Sequence, residues 1–234
     1  MEGVLEFVKQ YYYMDVPGFI LAITGLLLPY IRKQKLEDLR IFQVYFAGYI
    51  LLKLACYLSF HSYFREGKRF DIAWTFIIYT DMAFTILEYF IFAMYLKPFI
   101  SKVVFHISTI FFLTSTSYLI ICSILTYSIV DLSRIYTIQS VLLLCLSISY
   151  FKSKMKNRQP NQVVLGSEFW VAAGLGIFTL GTLPFSIFSE ILRKQQIEVY
   201  TNLYIIFYFF YIILFLSILK AQLTKARIHN RFLI

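Results

Sequence analysis

Three ionisable side chains stand out inside long apolar runs: Lys53, Asp81 and Glu88. A charge at the centre of a membrane span costs about 2.5–3.5 kcal/mol on insertion scales, and such residues usually face the interior of a helix bundle. Both carboxylates lie in YTDMAFTILEYF, Tyr79–Phe90. Their seven-residue spacing, at about 100° per residue, returns Glu88 to within about 20° of the helix face that holds Asp81. Counted from the outer ends of their runs, Lys53 is about seven residues deep and Asp81 about nine. At 1.5 Å per residue their depths differ by only about 3 Å. The two runs are joined by a short loop, so they are expected to be antiparallel neighbours, and Lys53 and Asp81 are expected to pair across them. The chemistry open to such a set is a polar track that relays protons, binds a cation or a ligand, or acts as a switch. The other reading is a structural ion pair, with Glu88 protonated or hydrogen-bonded to a nearby Ser or Thr.

Other polar groups extend the candidate list. Gln139, with Ser140 beside it, sits near the outer end of the fifth apolar run. The fourth run carries Ser108, Thr109, Thr114, Ser115, Thr116 and Ser117. Hydroxyls at this density serve helix packing or line a cavity. Ser115 and Gln139 are the ligand candidates that accompany Glu88. The sixth run, EFWVAAGLGIFTLGTLPFSIFSE, contains Gly174, Gly176 and Gly181, which permit close helix approach, and Ala172 with Gly176 as a small-xxx-small pair. Pro184 has no N–H and frees the carbonyl of Leu180, which favours a kink; Thr179 and Thr182 are placed to cap freed backbone. Gly174, Gly181 and Pro184 therefore read as a hinge or as a packing device.

Several chemistries find no residues to carry them. A retinal Schiff base needs a lysine deep in the seventh helix, and TNLYIIFYFFYIILFLSILK has none before Lys220. A zinc hydrolase needs converging histidines, whereas His61, His106 and His229 fall in an outer loop, at an inner interface and in the C-terminal tail. There is no HExxH, GxSxG or Walker pattern. Cys56, Cys122 and Cys145 all lie in apolar runs and form no CxxC pair, so neither a disulfide framework nor a metal site is indicated. The expectation is a protein without catalytic activity, metal or cofactor.

The elements that must position these residues follow from composition. The 234-residue chain is 59% hydrophobic and 15% charged, with 25 Phe and 19 Tyr. Soluble proteins are nearer 45–50% apolar and about 25% charged, so the main solvent here is lipid. A spanning helix needs about 20 mostly apolar residues. Seven segments qualify, near residues 16–31, 41–60, 72–96, 103–130, 135–151, 169–192 and 199–219, with the first one short. The expected fold is an all-α, polytopic bundle of seven transmembrane helices in a single domain, with no soluble domain. Lys and Arg set orientation when they lie in short loops. One side holds Arg32 to Arg40, Lys97 and Lys102, Lys152 to Arg158 and Lys220 to Arg231. The other holds Lys9, Arg65, Lys68, Arg69, Arg134, Arg193 and Lys194, about half as many. This bias predicts the N-terminus outside and the C-terminus inside. The net charge of +9 is thereby explained by topology and anionic headgroups rather than by nucleic acid. Tyrosines such as Tyr11, Tyr12, Tyr13, Tyr30, Tyr63, Tyr127, Tyr150 and Tyr200 near span ends read as interfacial belts. The acidic N-terminal MEGVLEFVKQYYYMD lacks the basic region of a cleaved signal.

Phe169-Trp170 opening the sixth run, the Gly174 and Gly181 spacing, the Leu183-Pro184-Phe185 step and an aromatic last run ending in Lys220-Ala221 form a pattern. With Glu88 before a Phe-rich end of the third run, it resembles a group of small, uncharacterised, sensor-like seven-helix integral membrane proteins of the Bacteroidota. The resemblance covers about 100 residues and carries no catalytic signature. It implies a bacterial inner membrane and a sensing role. The expected function is a sensory or signal-coupling component that binds a small or lipidic signal among its helices and acts on a partner protein at the cytoplasmic side. The alternative is a transporter or channel that uses a Lys53–Asp81–Glu88 track.

Overall fold

In lipid every backbone N–H and C=O must be satisfied within the segment, which leaves helices or closed barrels as the spanning structures. The apolar runs accordingly form helices in the computed structural model of the chain, which describes residues 2–31, 40–66, 70–125, 132–157, 166–195 and 197–231. These comprise α1 (Glu2–Ile31), α2 (Arg40–Glu66), α3 (Phe70–Leu96), α4 (Lys102–Leu125), α5 (Leu132–Asn157), α6 (Ser167–Gln195) and α7 (Ile197–Arg231), with one 3-10 turn, Lys97–Phe99, between α3 and α4. Among the described residues there are seven helices and no strands. Most of the basic residues that set the expected orientation lie outside the described side chains, including Lys9, Arg32, Lys33, Lys35, Lys68, Arg69, Arg158 and Arg231. Residues 126–130 of the fourth expected span, and the side chains of His61 and His229, lie outside them too.

Six helices are long and apolar enough to cross a membrane: α2 to α7. The first expected span is shorter, as its sequence implies. The apolar part of α1, Val16–Ile31, is about 24 Å long at 1.5 Å per residue, against a hydrocarbon core of about 30 Å. Asp15, Pro17 and Gly18 limit the run at its start, although the helix itself begins at Glu2. Pro29 sits inside α1 and cannot donate to the carbonyl of Gly25. The side chain of Gln222 on α7 reaches that carbonyl, with Nε2 donating to Gly25 O at 3.4 Å.

The helices close a ring. α1 packs on α2 and α7, α2 on α3, α3 on α5, α5 on α6 and α6 on α7, while α4 leans on the outside of α5. α2 and α3 are direct neighbours, as the short loop between their runs predicts. Tyr89 fastens α4 to α3: its hydroxyl is 2.7 Å from Ser108 Oγ and its ring stacks on Phe112 with centroids 3.9 Å apart. The outer face of α4 is apolar and exposed, at Val103, Ile107, Ile110, Phe111, Tyr118, Ile121 and Ile124, as a lipid-facing surface should be.

The small residues of α6 close both of its seams. A Cβ on Gly174 would meet Ser217, and one on Gly181 would meet the Phe210 ring, both on α7. Ala172 and Gly176 face α5 instead. Ser147 donates to Ala172 O at 2.7 Å and its Oγ lies 2.9 Å from where a Cβ on Gly176 would stand. Pro184 lies within α6, which continues as one helix to Gln195. Thr182 and Thr179 do not cap the Leu180 carbonyl. They donate to carbonyls one turn back, Thr182 to Phe178 and Thr179 to Leu175 and Gly176.

Candidate functional site at the centre of the ring

Glu88 is buried where four helices meet, with 2% of its surface exposed. α3 presents it on the inward stripe that also carries Thr85 and Phe92, one turn on either side. Three side chains from three other helices donate to its carboxyl group. Tyr45 of α2 donates to Oε1 at 2.8 Å, Tyr211 of α7 donates to Oε1 at 3.1 Å, and Gln139 of α5 donates from Nε2 to Oε2 at 2.8 Å. Gln139 Nε2 also donates to the Thr85 carbonyl at 3.2 Å. That double donation fixes which way the amide points, because a reversed amide would set its oxygen against two acceptors. All three donors are neutral groups, and among the described residues no cation is bonded to Glu88. A buried charge requires paired or fully hydrogen-bonded surroundings, and here hydrogen bonds supply them.

Among the described residues, the polar groups next to Glu88 continue towards the Asp81 end. Towards the Asp81 end, Tyr136 of α5 lies beside the Thr85 side chain and within the electrostatic reach of Glu88, Asp81 and Lys53. Lys53 Nζ donates to the hydroxyl of Tyr208 on α7 at 2.9 Å and sits 5.5 Å and 5.2 Å from the ring centroids of Tyr49 and Tyr208. Such placement suits a cation, whose charge the ring faces attract. Thr85 donates to the Asp81 carbonyl at 2.7 Å. In the opposite direction, one turn from each Glu88 ligand, the side chains are apolar and buried: Phe92 on α3, Phe42 on α2, Leu143 on α5 and Phe215 on α7, all at 1% exposure or less. The aromatic members interlock through the ring of Tyr45, which lies 5.3 Å from Phe92 and 5.8 Å from Phe215. Phe42 lies 5.7 Å from Phe92 and Phe46 lies 5.4 Å from Phe215.

The structure therefore brings together Glu88 and Gln139 directly, and sets Lys53 and Asp81 on the same polar side around Tyr136. Ser115 is not among the ligands of Glu88. Its hydroxyl donates to the carbonyls of Phe111 and Phe112 within α4. Gly174, Gly181 and Pro184 belong to α6 and its α7 seam, away from the carboxyl group. The tyrosines are the site residues that sequence reasoning did not single out. The signal that could have found them is spacing. Tyr45, Tyr49 and Lys53 recur every four residues on α2, and Tyr208 and Tyr211 are three apart on α7, so each set shares a face with a charge or with another phenol. Among the described residues no group of three His, Cys, Asp or Glu could hold a metal ion. No protein-family model, no curated protein and no solved structure matches the chain.

Proposed function

We propose that this multi-pass membrane protein is a signal-coupling component without catalytic activity, which receives a small signal at the Glu88 junction and passes a change in helix packing to a partner protein at its basic end. One observation carries this reading: among the described residues, the polar groups around Lys53 and Asp81 lead to Glu88, and the next turn of each surrounding helix places a buried apolar side chain, Phe42, Phe92, Leu143 or Phe215. A transport path needs polar or open lining through to both faces, whereas a dead-ended site suits reception. Because the ligands of Glu88 come from α2, α5 and α7, any change in its charge acts on three helices at once. The end of the bundle beyond the aromatic layer is basic. Lys97, Lys102, Lys152, Lys156 and Lys220 are exposed there, and Lys154 is joined to Glu168 at 3.1 Å. That charge pattern fits a cytoplasmic face, with the membrane a bacterial inner membrane and the partner a regulator such as a kinase.

A transporter remains the second reading because Lys53, Asp81 and Glu88 do share one connected polar region. Flux separates the two. Reconstituted into liposomes under a proton or sodium gradient, the protein should give no flux above empty vesicles. Steady flux lost in both Asp81→Asn and Glu88→Gln would overturn the signal-coupling reading.

A further inference from the structure

We propose that the ligand of the Glu88 junction is a proton, taken up on Oε1 from the Asp81 end and shared with Tyr45 and Tyr211. This rests on the reading of the junction as a dead-ended receiving site and names what it receives.

The argument is a count of hydrogens. Three oxygens converge: Glu88 Oε1, Tyr45 Oη and Tyr211 Oη. The two phenols also interact with each other, so there are three contacts in the triangle. The phenols bring one hydrogen each, and with an ionised carboxylate both are spent on Oε1. The phenol-to-phenol contact then has no hydrogen of its own. A hydrogen on Oε1 corrects this. It donates to one phenol, that phenol turns its own hydrogen to the second, and the second continues to donate to Oε1. Every contact then carries one hydrogen. Oε2 offers no such place, because Gln139 Nε2 can only donate and is held in that sense by the Thr85 carbonyl. The same amide nitrogen occupies the space between two oxygen acceptors where a sodium ion would have to sit.

The groups that face the junction are compatible with delivery from one side. α2 contributes Tyr45, Tyr49 and Lys53; α3 contributes Asp81; α5 contributes Tyr136; and α7 contributes Tyr208 and Tyr211. The described parts of α1 and α6 that pack on these helices bring Gly18 against Tyr49 and Phe178 against Tyr211, neither titratable. α4 meets α3 through Ser108 at Tyr89, the neighbour of Glu88. Tyr136, beside Thr85 and within reach of both Asp81 and Glu88, is the group placed to pass the proton. The step conserves atoms: a hydronium ion at the Asp81 end becomes water, and the Glu88 carboxylate becomes the neutral acid. Its consequence is mechanical. Hydrogen bonds to an ionised acceptor are roughly twice as strong as those between neutral groups, so neutralising Glu88 loosens the ties of α2, α5 and α7 to α3 together.

Difference infrared spectroscopy of the full chain in lipid nanodiscs, recorded over a pH series, tests this. A protonated-carboxyl C=O band should grow as pH falls in the wild type and be lost in Glu88→Gln. Tyr211→Phe keeps the ring packing and Glu88 but removes one oxygen and one hydrogen from the triangle. It should retain the band with a shifted frequency and a shifted titration, which keeps the test valid if Glu88→Gln does not fold. Absence of the band at every pH, an unshifted band in Tyr211→Phe, or a band controlled by sodium against choline at fixed pH would each overturn the proton site. Liposome flux would defeat the signal-coupling reading and leave the infrared band in place, so the two failures are told apart.

Discussion

The α6–α7 seam and the Glu88 junction both bury polar atoms in the same bundle, but they spend them differently. On α6 the hydroxyls of Thr179, Thr182 and Ser186 donate to carbonyls of their own helix three or four residues back. The seam is closed by glycines that let α7 approach, with Ser217 and Phe210 filling the places where side chains would stand. At the junction every hydrogen bond to Glu88 crosses from one helix to another. A locally satisfied hydroxyl can be moved with its helix at no cost in hydrogen bonding, whereas a bond between helices is lost when either moves. The seam is therefore held by shape and the junction by chemistry, and only the junction can respond to a change of charge.

The sharpest way to break that contrast is to attack the seam by volume. Gly174→Leu should cost about 3 kcal/mol, at the upper end of overpacking penalties, because its new side chain meets both Ser217 and the backbone Cα of Leu214 at 3.8 Å from the Cβ. The helix-propensity gain of about 1 kcal/mol on replacing glycine does not offset this. Reversible unfolding in mixed detergent measures the loss. An unchanged midpoint would mean that the glycine does not set the α6–α7 distance.

A smaller loss is expected at the junction itself. Gln139→Leu preserves volume but removes the donor shared by Glu88 Oε2 and the Thr85 carbonyl. Leaving a buried acceptor without its donor costs about 1–3 kcal/mol, and within membranes interhelical hydrogen bonds tend to the lower part of that range. The diagnostic feature is rescue: combining Gln139→Leu with Glu88→Leu should recover part of the loss, because the stranded carboxyl group is then gone. A double variant as unstable as the sum of the two single ones would show that the two side chains are not coupled.

The sequence made the helices legible because lipid leaves a chain so few choices. A run of about 20 apolar residues in a bilayer must be helical, and the six runs from α2 onward all reach spanning length. The pairing of α2 with α3 followed from a loop too short to reach elsewhere. The inward placement of Glu88 followed from the cost of facing an ionisable side chain to lipid. Gln139 was visible as a polar group in a span, but nothing local tied it to Glu88, since that contact links positions fifty-one residues apart. The tyrosines were harder still. In a chain with 19 of them, residue type alone does not separate a site tyrosine from an interfacial anchor such as Tyr30; the spacing of Tyr45, Tyr49 and Lys53, and of Tyr208 and Tyr211, is the signal that does. The first span is short in the sequence and in the structure alike, at Val16–Ile31. α1 is helical well beyond its apolar part.

The smallest expected effect tests the other half of the contrast. Ser115 looked, by residue type and position, as eligible for the site as Gln139, yet its hydroxyl is bonded at 2.6 Å to the Phe111 carbonyl and at 3.2 Å to that of Phe112, inside α4. Both carbonyls already accept within a helix, so the hydroxyl adds a second, dispensable bond. Ser115→Ala removes it without stranding a donor or leaving a cavity of any size, and alanine is the better helix former by a few tenths of a kcal/mol. The two terms oppose each other, and the net change should stay within about 0.5 kcal/mol, with the infrared carboxyl band of Glu88 unmoved. A clear loss of stability, or a displaced band, would place Ser115 in contact with the junction after all. The division between helices that satisfy themselves and helices that satisfy one another would then run on the other side of α4.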